Sequence, residues 1–530
     1  MLMSQPAAID EARFRKHLKR AEAYLAQGLR DDALASYSAA ADANPDDIPT
    51  RLKVVDLQLA ARRHNDARQA ALRATSGFVS SPRIALDLVG RLLAVGESQV
   101  VVQIARQLHP GMWDSAQSLA EMARHLTLLG AHDLADGFAQ AAVRKDPRHP
   151  PSLFMMATMD VFFGRMESAA EHCERCLAIV PGEPSTNWLM SRLRQPDAGR
   201  RIDRIRAALE AGATPEGQVW LWYGLHNELH DQRDYAASWE ALSQACAIKR
   251  RLVDFDPARE TQMYDTLRRW NAHEVAQPGG HRDPTLVPIF VIGLHRSGTT
   301  LAERILSGHP AIQGAGETYE FTTALRRASG LHFKGETALE VIQARTTLDY
   351  GQLGRDYLDG MRWRAGGKQY VTEKLPSNYV NVGFIARALP QARFVHLRRN
   401  AIDVGLSNLR TLFNEACPFS YDQMDFVEHH GRYRALMQRW RELLPGRLLD
   451  VDYDEMVAQP EATARKLAGF CGLEYDPAMV RIEDRKDAVA TASSVMMREG
   501  IRKDRGGLWQ AYAQWLQPMI DKLSDIPGYR

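Results

Sequence analysis

The pattern of apolar and polar positions along the chain changes once, near residue 288. Before that point apolar residues recur at helical spacing. The stretch VWLWYGLHNELHDQRDYAASWEALSQACAIKRR at 219–251 reads as a helix hairpin with Ala237, Ala241 and Ala245 on one face. Its aromatics, Trp220, Trp222, Tyr223 and Trp239, are assigned to packing. Residues 277–288, QPGGHRDPTLVP, are dense in Pro and Gly and end the helical part. Beyond them short β-branched runs alternate with helical stretches. Ile289–Ile292 lies between Pro288 and Gly293 and predicts an interior strand, followed by a helix carrying Leu301, Ile305 and Leu306. RFVHL at 393–397 and RLLDV at 447–451 predict two further strands, the latter after a helical stretch over 433–444. That alternation predicts an α/β domain with a central parallel sheet, whose ligands sit at the carboxyl ends of the strands. Arg296, Arg398 and Arg399 all fall just after strands and so converge on one edge.

The helical half repeats itself. From Ala21, the residues Gly28, Ala33, Tyr37, Ala40 and Pro45 follow the order of a tetratricopeptide repeat, whose period is 34. Steps of that length lead from Gly28 to Arg62, Gly96, Gly130 and Gly164, and from Ala33 to Ala67, Val101, Ala135 and Ala169. Pro147 and Pro181 stay in register with Pro45. Each unit is a helix hairpin: Gly permits the turn, Ala lets the helices approach, and Pro ends the second helix. The fold class is therefore α plus α/β. The expected domains are a helical solenoid over 10–195, further hairpins and a linker over 196–280, with QPDAGRR at 195–201 as the boundary, and an α/β domain over 285–530.

Composition narrows this picture little. The chain has 530 residues, 45% of them apolar and 25% charged, as in average soluble proteins. Its 67 Lys and Arg against 65 Asp and Glu leave a formal charge of +2, which argues neither for nor against a nucleic-acid partner, and none is expected. Five cysteines are too few for a disulfide framework, and Cys173 and Cys176 fall where a helical repeat needs small residues. The first twenty residues lack the apolar core of a signal peptide, and no apolar run approaches a membrane span. A cytoplasmic location is expected.

The chemistry is concentrated in PIFVIGLHRSGTTLAERILSGHPAIQGAGE, residues 288–317. Strand, small-residue turn and helix N-terminus in that order form an anion cradle, because free backbone N–H groups and the helix dipole point at one spot. Gly293 and Gly298 imitate the spacing of the phosphate loop G-x-x-x-x-G-K-[ST], yet Thr299 stands where that motif needs Lys. The positive charge has moved to Arg296, which favours an anion read by a guanidinium fork over a polyphosphate neutralised by Lys and magnesium. A nucleotide kinase is disfavoured for this reason.

RSGTT in this setting resembles the loop of sulfotransferases that use 3′-phosphoadenosine 5′-phosphosulfate (PAPS). The likeness widens over about 285–525: VTEKLPSN, FVHLRRNAIDVGLS, LDVDYDEMVAQP, TASSVMMR and GLWQAY follow one another as in bacterial sulfotransferases fused to tetratricopeptide repeats. Their catalytic domain is in turn similar to tyrosylprotein sulfotransferase. The resemblance implies that Arg296, Ser297, Gly298, Thr299 and Thr300 hold the 5′-phosphosulfate, and that Arg399 and Ser407 hold the 3′-phosphate. It implies that Tyr453 and Arg498 contribute to the nucleotide pocket. Glu317, twenty-one residues after Arg296, corresponds to the catalytic base, Lys374, twenty-five before Arg399, to a lysine that contacts the reacting oxygens, and Ser493, sixteen before Trp509, to a catalytic serine. Arg296, Lys374 and Ser493 would stabilise charge growing on the leaving phosphate and the sulfuryl group.

The expected activity is sulfuryl transfer from PAPS, leaving adenosine 3′,5′-bisphosphate, to a hydroxyl on a peptide tyrosine, a carbohydrate or a small molecule, with no metal. The repeat array would bind a protein partner, dimerise, or brace the catalytic domain. The alternative reading is a repeat scaffold with an inactive nucleotide-binding domain. Three positions depart from the family pattern: His295 for the usual Pro, Asn400 for the usual Asp, and Leu508 where a basic residue is normal, with Arg502, Lys503 and Arg505 as nearby substitutes. His429 and His430 are expected to be a solvated helix pair.

Overall fold

The structure is a computed structural model that describes residues 9–75, 81–413, 416–485, 487–490, 500–501 and 506–526. Its contacts divide the chain into two units, Met1–Lys145 with Tyr319–Lys334, and Asp146–Thr318 with Gly335–Arg530.

The first unit consists of helix hairpins. The first pairs Glu11–Ala26 with Arg30–Ala43, and the fourth pairs Ala116–Leu128 with His132–Lys145. The 34-residue period has a direct conformational meaning. Gly28, Arg62, Gly96 and Gly130 have φ of 76°, 61°, 76° and 74°, the left-handed turn that lets the second helix fold back on the first. At Arg62 that conformation costs a side-chain-bearing residue about 1–2 kcal/mol. Ala33, Ala67, Val101 and Ala135 have no exposed surface, so this position of each repeat is buried in the packing. The helix Glu320–Ser329 belongs to this unit too, although it follows the first strand of the α/β part in sequence. Arg327 Nη2 donates to Glu97 Oε1 at 2.9 Å, His64 N–H to Gly330 O at 2.9 Å, and His332 N–H to Arg62 O at 2.8 Å.

In the second unit the hairpin Pro150–Phe163 and Met166–Ile179 continues the repeat, with Gly164 at φ 78° and Ala169 and Cys173 fully buried. The next hairpin, Pro215–Asp231 and Tyr235–Leu252, packs on the α/β part. Tyr223 OH donates to Leu409 O at 2.8 Å, and the Trp239 ring stacks on Trp515 at 5.9 Å. These aromatics pack, as expected.

The α/β part holds a five-stranded, all-parallel sheet: β1 Val287–Gly293, β2 Ile312–Gly314, β3 Tyr370–Glu373, β4 Arg393–Arg398 and β5 Leu448–Asp452, in the order β2-β3-β1-β4-β5. β1 is central and buried from Pro288 to Gly293. Ile289 and Val291 face one layer, with Leu301, Ile305 and Leu467, while Phe290 faces the other, against Tyr357 and Phe394. Burial of a side chain such as Phe290 is worth about 1.5–3 kcal/mol. Sequence patterning found β1, β4 and β5 but not β2 and β3, whose three and four residues are too short to show a period. The expected solvation of His429 and His430 is overturned. They are 2% and 5% exposed, because the helix Gln423–Leu443 packs against Pro257–Leu267, and His429 Nδ1 pairs with Glu260 Oε1 at 2.8 Å.

Candidate active site

A strand buried on both faces can display polar side chains where it ends, and here every strand does so at its carboxyl end. β1 runs into the loop Leu294–Gly298, and β2 is followed three residues later by Glu317. β3 is followed at once by Lys374, β4 by Arg399 and β5 by Tyr453.

The loop turns on two glycines. At Gly293 a Cβ would stand 2.8 Å from Leu397 O, and at Gly298, with φ +103°, it would stand 2.4 Å from Tyr453 Cδ2. The Tyr453 ring therefore lies on the loop backbone, and the Arg399 guanidinium sits over the same ring at 4.3 Å. Arg399 Nη1 also donates to Arg296 O at 3.2 Å, and Arg296 Nε donates to Ser407 Oγ at 3.0 Å. Arg296, Arg399, Ser407, Gly298 and Tyr453 form one contiguous group. Gly298 is the N-cap of the helix Thr299–Ser307 and supplies no side-chain cap to its first N–H groups. The Ser297 hydroxyl is buried and has no hydrogen-bond partner among the described residues. Burial, then Arg399, Arg192 and Arg410, push the Arg296 guanidinium down to about 10. Like charges gathered at the start of a helix, beside a hydroxyl with no hydrogen-bond partner among the described residues, suit a bound anion.

Asn400, which replaces the usual Asp, does an Asp's work: its Oδ1 accepts from Ile402 and Asp403 N–H at 3.0 and 3.2 Å and caps the helix that carries Ser407. His295 O accepts from Asn408 Nδ2 at 2.9 Å, tying the loop to the same helix. Burial holds the His295 imidazole at about 4, so the ring is neutral near pH 7.

Lys374 has no exposed surface, and its Nζ donates to Glu317 Oε1 at 2.5 Å. The Glu317 side chain keeps 39% of its surface in solvent, so a buried ammonium meets a carboxylate that an incoming molecule can reach. Removing an ammonium from water costs several kcal/mol, which the paired carboxylate offsets. Thr299 is buried and Thr300 half-buried at the start of the loop helix. Ser493 and Arg498 lie outside the described residues, as do Arg502, Lys503 and Arg505; Leu508 is described and exposed. No group of His, Cys, Asp and Glu that would hold a metal occurs among the described residues.

Three site neighbours escaped sequence reading. Arg192 and Arg410 act on Arg296 from helix ends distant in the chain, and nothing local marks either of them. Glu303, one helical turn beyond Thr299, carries no local mark either, because its burial shows only in the folded chain.

Residues 288–477 match the model of the Sulfotransferase family. An uncharacterized protein of Aquifex aeolicus is 28% identical over 395 residues, 72% of this chain and 51% of its own length. The chain thus spans about half the length of that relative. A putative protein-tyrosine sulfotransferase of Caenorhabditis briggsae is 24% identical over 208 residues, 36% of this chain and 68% of its own. Among solved structures, a tetratricopeptide repeat protein from Parabacteroides merdae is similar at 12% identity and a TM-score of 0.35, over 45% of this chain and 93% of its own.

Proposed function

We propose that this chain transfers the sulfuryl group of PAPS to an acceptor hydroxyl, with a phenol such as protein tyrosine as the favoured acceptor. The observation that carries this reading is the Lys374–Glu317 pair at the same sheet edge as the Arg296–Arg399–Ser407 group. PAPS, when bound, supplies an activated sulfuryl group whose leaving group is the 5′-phosphate of adenosine 3′,5′-bisphosphate.

Arg296, Ser297 and the N–H groups at Gly298, Thr299 and Thr300 hold the 5′ end, while Arg399 and Ser407 hold the 3′-phosphate. Tyr453 supports both by backing the loop and stacking under Arg399. Glu317 takes the acceptor proton as the acceptor oxygen bonds to sulfur and the bond from sulfur to the 5′-phosphate oxygen breaks. A phenol titrates near ~10 and a carboxyl near ~4, so proton transfer accompanies bond formation rather than preceding it. Lys374 donates to the oxygens that gain charge, together with Ser493 as the resemblance implies. Arg498 joins the nucleotide pocket on the same ground.

We assign the repeat hairpins to a protein partner. The five free, buried cysteines fit a reducing, cytoplasmic setting. Among the described residues no helix is long and apolar enough to cross a membrane.

Titration calorimetry tests the core of this reading. Adenosine 3′,5′-bisphosphate should bind without magnesium and ATP with magnesium should not; the reverse result rejects it. Glu317→Ala should retain bisphosphate binding and lose transfer, and retained transfer would remove Glu317 from the role of base.

A further inference from the structure

The helix that begins in the donor loop carries a buried carboxylate that the proposed chemistry does not use. Glu303 lies one turn beyond Thr299 and is 7% exposed. Its Oε1 accepts two hydrogen bonds, from Gly316 N–H at 2.9 Å and from the Thr372 hydroxyl at 2.8 Å. Gly316 directly precedes Glu317, and Thr372 lies in β3 two residues before Lys374. The carbonyl of Gly316 is held in turn, since Lys374 N–H donates to it at 2.9 Å. The backbone bearing the carboxylate and the backbone bearing the ammonium are thus joined to each other, and both to the loop helix, through one oxygen of Glu303.

Burial of this kind is costly for a carboxylate, and it raises the Glu303 carboxyl above its ordinary range; Lys374 is the strongest opposing influence. A hydrophobic residue at this position would pack without that cost. What a hydrophobic residue would not supply is an acceptor for two donors on two other elements.

We propose that Glu303 is a positioning residue that sets Glu317 and Lys374 in register with the donor loop. The inference rests on the sulfuryl-transfer reading for its meaning in catalysis, but its structural core does not. Glu303 lies behind the reacting groups and acts through the Gly316 peptide and Thr372. Its hydrogen bonds require an acceptor oxygen rather than a charge, and an amide oxygen satisfies that requirement.

Three variants test this: Glu303→Gln keeps the acceptor, Glu303→Ala removes it, and Thr372→Val removes one donor and spares the helix. Hydrogen exchange followed by mass spectrometry on peptides covering 312–318 needs no substrate. Exchange at the Gly316 amide should speed by about tenfold or more in Glu303→Ala and remain slow in Glu303→Gln. The catalytic arm uses 4-nitrophenyl sulfate and adenosine 3′,5′-bisphosphate and reads 4-nitrophenolate as sulfuryl passes from the phenol oxygen to the 5′-phosphate. There kcat should fall about 10- to 100-fold in Glu303→Ala and less in Thr372→Val, with KM for the bisphosphate unchanged and Glu303→Gln close to wild type. Unchanged exchange in Glu303→Ala, or a Glu303→Gln variant as impaired as Glu303→Ala, overturns the proposal. Should Glu303→Ala fail to fold, wild-type exchange and kcat in Thr372→Val also overturn it. A wild-type chain that neither binds the bisphosphate nor releases nitrophenolate refutes the sulfuryl-transfer reading, while the exchange arm still decides the role of Glu303.

Discussion

Gly298→Ala is the most stringent perturbation of the donor loop. The backbone there has φ +103°, and the added Cβ would lie 2.4 Å from Tyr453 Cδ2 and 3.0 Å from Cε2. No rotation of the alanine relieves this, so the Tyr453 ring or the loop must shift. Left-handed backbone alone costs a residue with a Cβ about 1–2 kcal/mol. Moving the ring from beneath Arg399, now 4.3 Å from its centroid, removes a cation–π contact worth about 0.5–2 kcal/mol. If ligand binding requires the undistorted loop, affinity bears the sum, about 1.5–4 kcal/mol, which is about a 10- to 700-fold rise in Kd. Calorimetry with adenosine 3′,5′-bisphosphate measures that rise. Gly446→Ala serves as a strain-only control, because Gly446 has φ +76° and nothing within 4 Å of the added Cβ. It should lower the melting temperature and leave Kd alone. A Gly298→Ala protein with wild-type Kd would refute the claim that the Gly298–Tyr453–Arg399 stack shapes the anion site.

Other outcomes follow from single contacts. Lys374→Ala should cut the rate of transfer about 100-fold or more with bisphosphate Kd little changed; equal losses in both would place Lys374 in donor binding instead. Within the repeat unit, Gly28→Ala meets nothing within 4 Å, whereas at Gly96 a Cβ would overlap Thr323 Cγ2 at 2.2 Å, so Gly96→Ala should lower the melting temperature further; equal shifts would deny that the segment Tyr319–Lys334 is seated there. Acid should destabilise the fold. Burial holds His295, His125 and His332 at about 4 and His64 and His430 at about 3, below the ordinary 6.5, so the unfolded chain binds more protons between those values and 6.5. The stability these neutral rings contribute is present above pH 6.5 and is lost as pH falls toward 4. Denaturant midpoints measured from pH 7 to 4.5 should decline, and a flat profile would contradict the buried neutral state.

Much of this was legible locally. The turn at every thirty-fourth residue needs positive φ, and a hydrogen side chain adopts it most cheaply; hence Gly28, Gly96, Gly130 and Gly164 mark the hairpins, and Arg62 keeps its place in the series by register with them. The loop from Gly293 to Thr300 was equally plain, because a strand, a small-residue turn and a helix start are contiguous in the chain. Glu303 and the two extra arginines were not, since their meaning depends on partners far away in sequence: Thr372 for one, Arg296 for the others. His429 failed for the same reason, its burial being set by the helix Pro257–Leu267.

By itself the sequence determined where helices and the longer strands lie, that a repeat precedes an α/β part, and which strand–turn–helix loop is the candidate anion cradle. Those properties arise from periodicity and from backbone freedom within a few residues. Only the tertiary structure decided that the strands run in the order β2-β3-β1-β4-β5 and bring Glu317, Lys374 and Tyr453 to the edge where Arg296 and Arg399 were expected to converge. It alone decided that Tyr319–Lys334 joins the repeat unit. Strand order and long-range docking are settled by which apolar faces bury against one another, and no window of neighbouring residues contains that information.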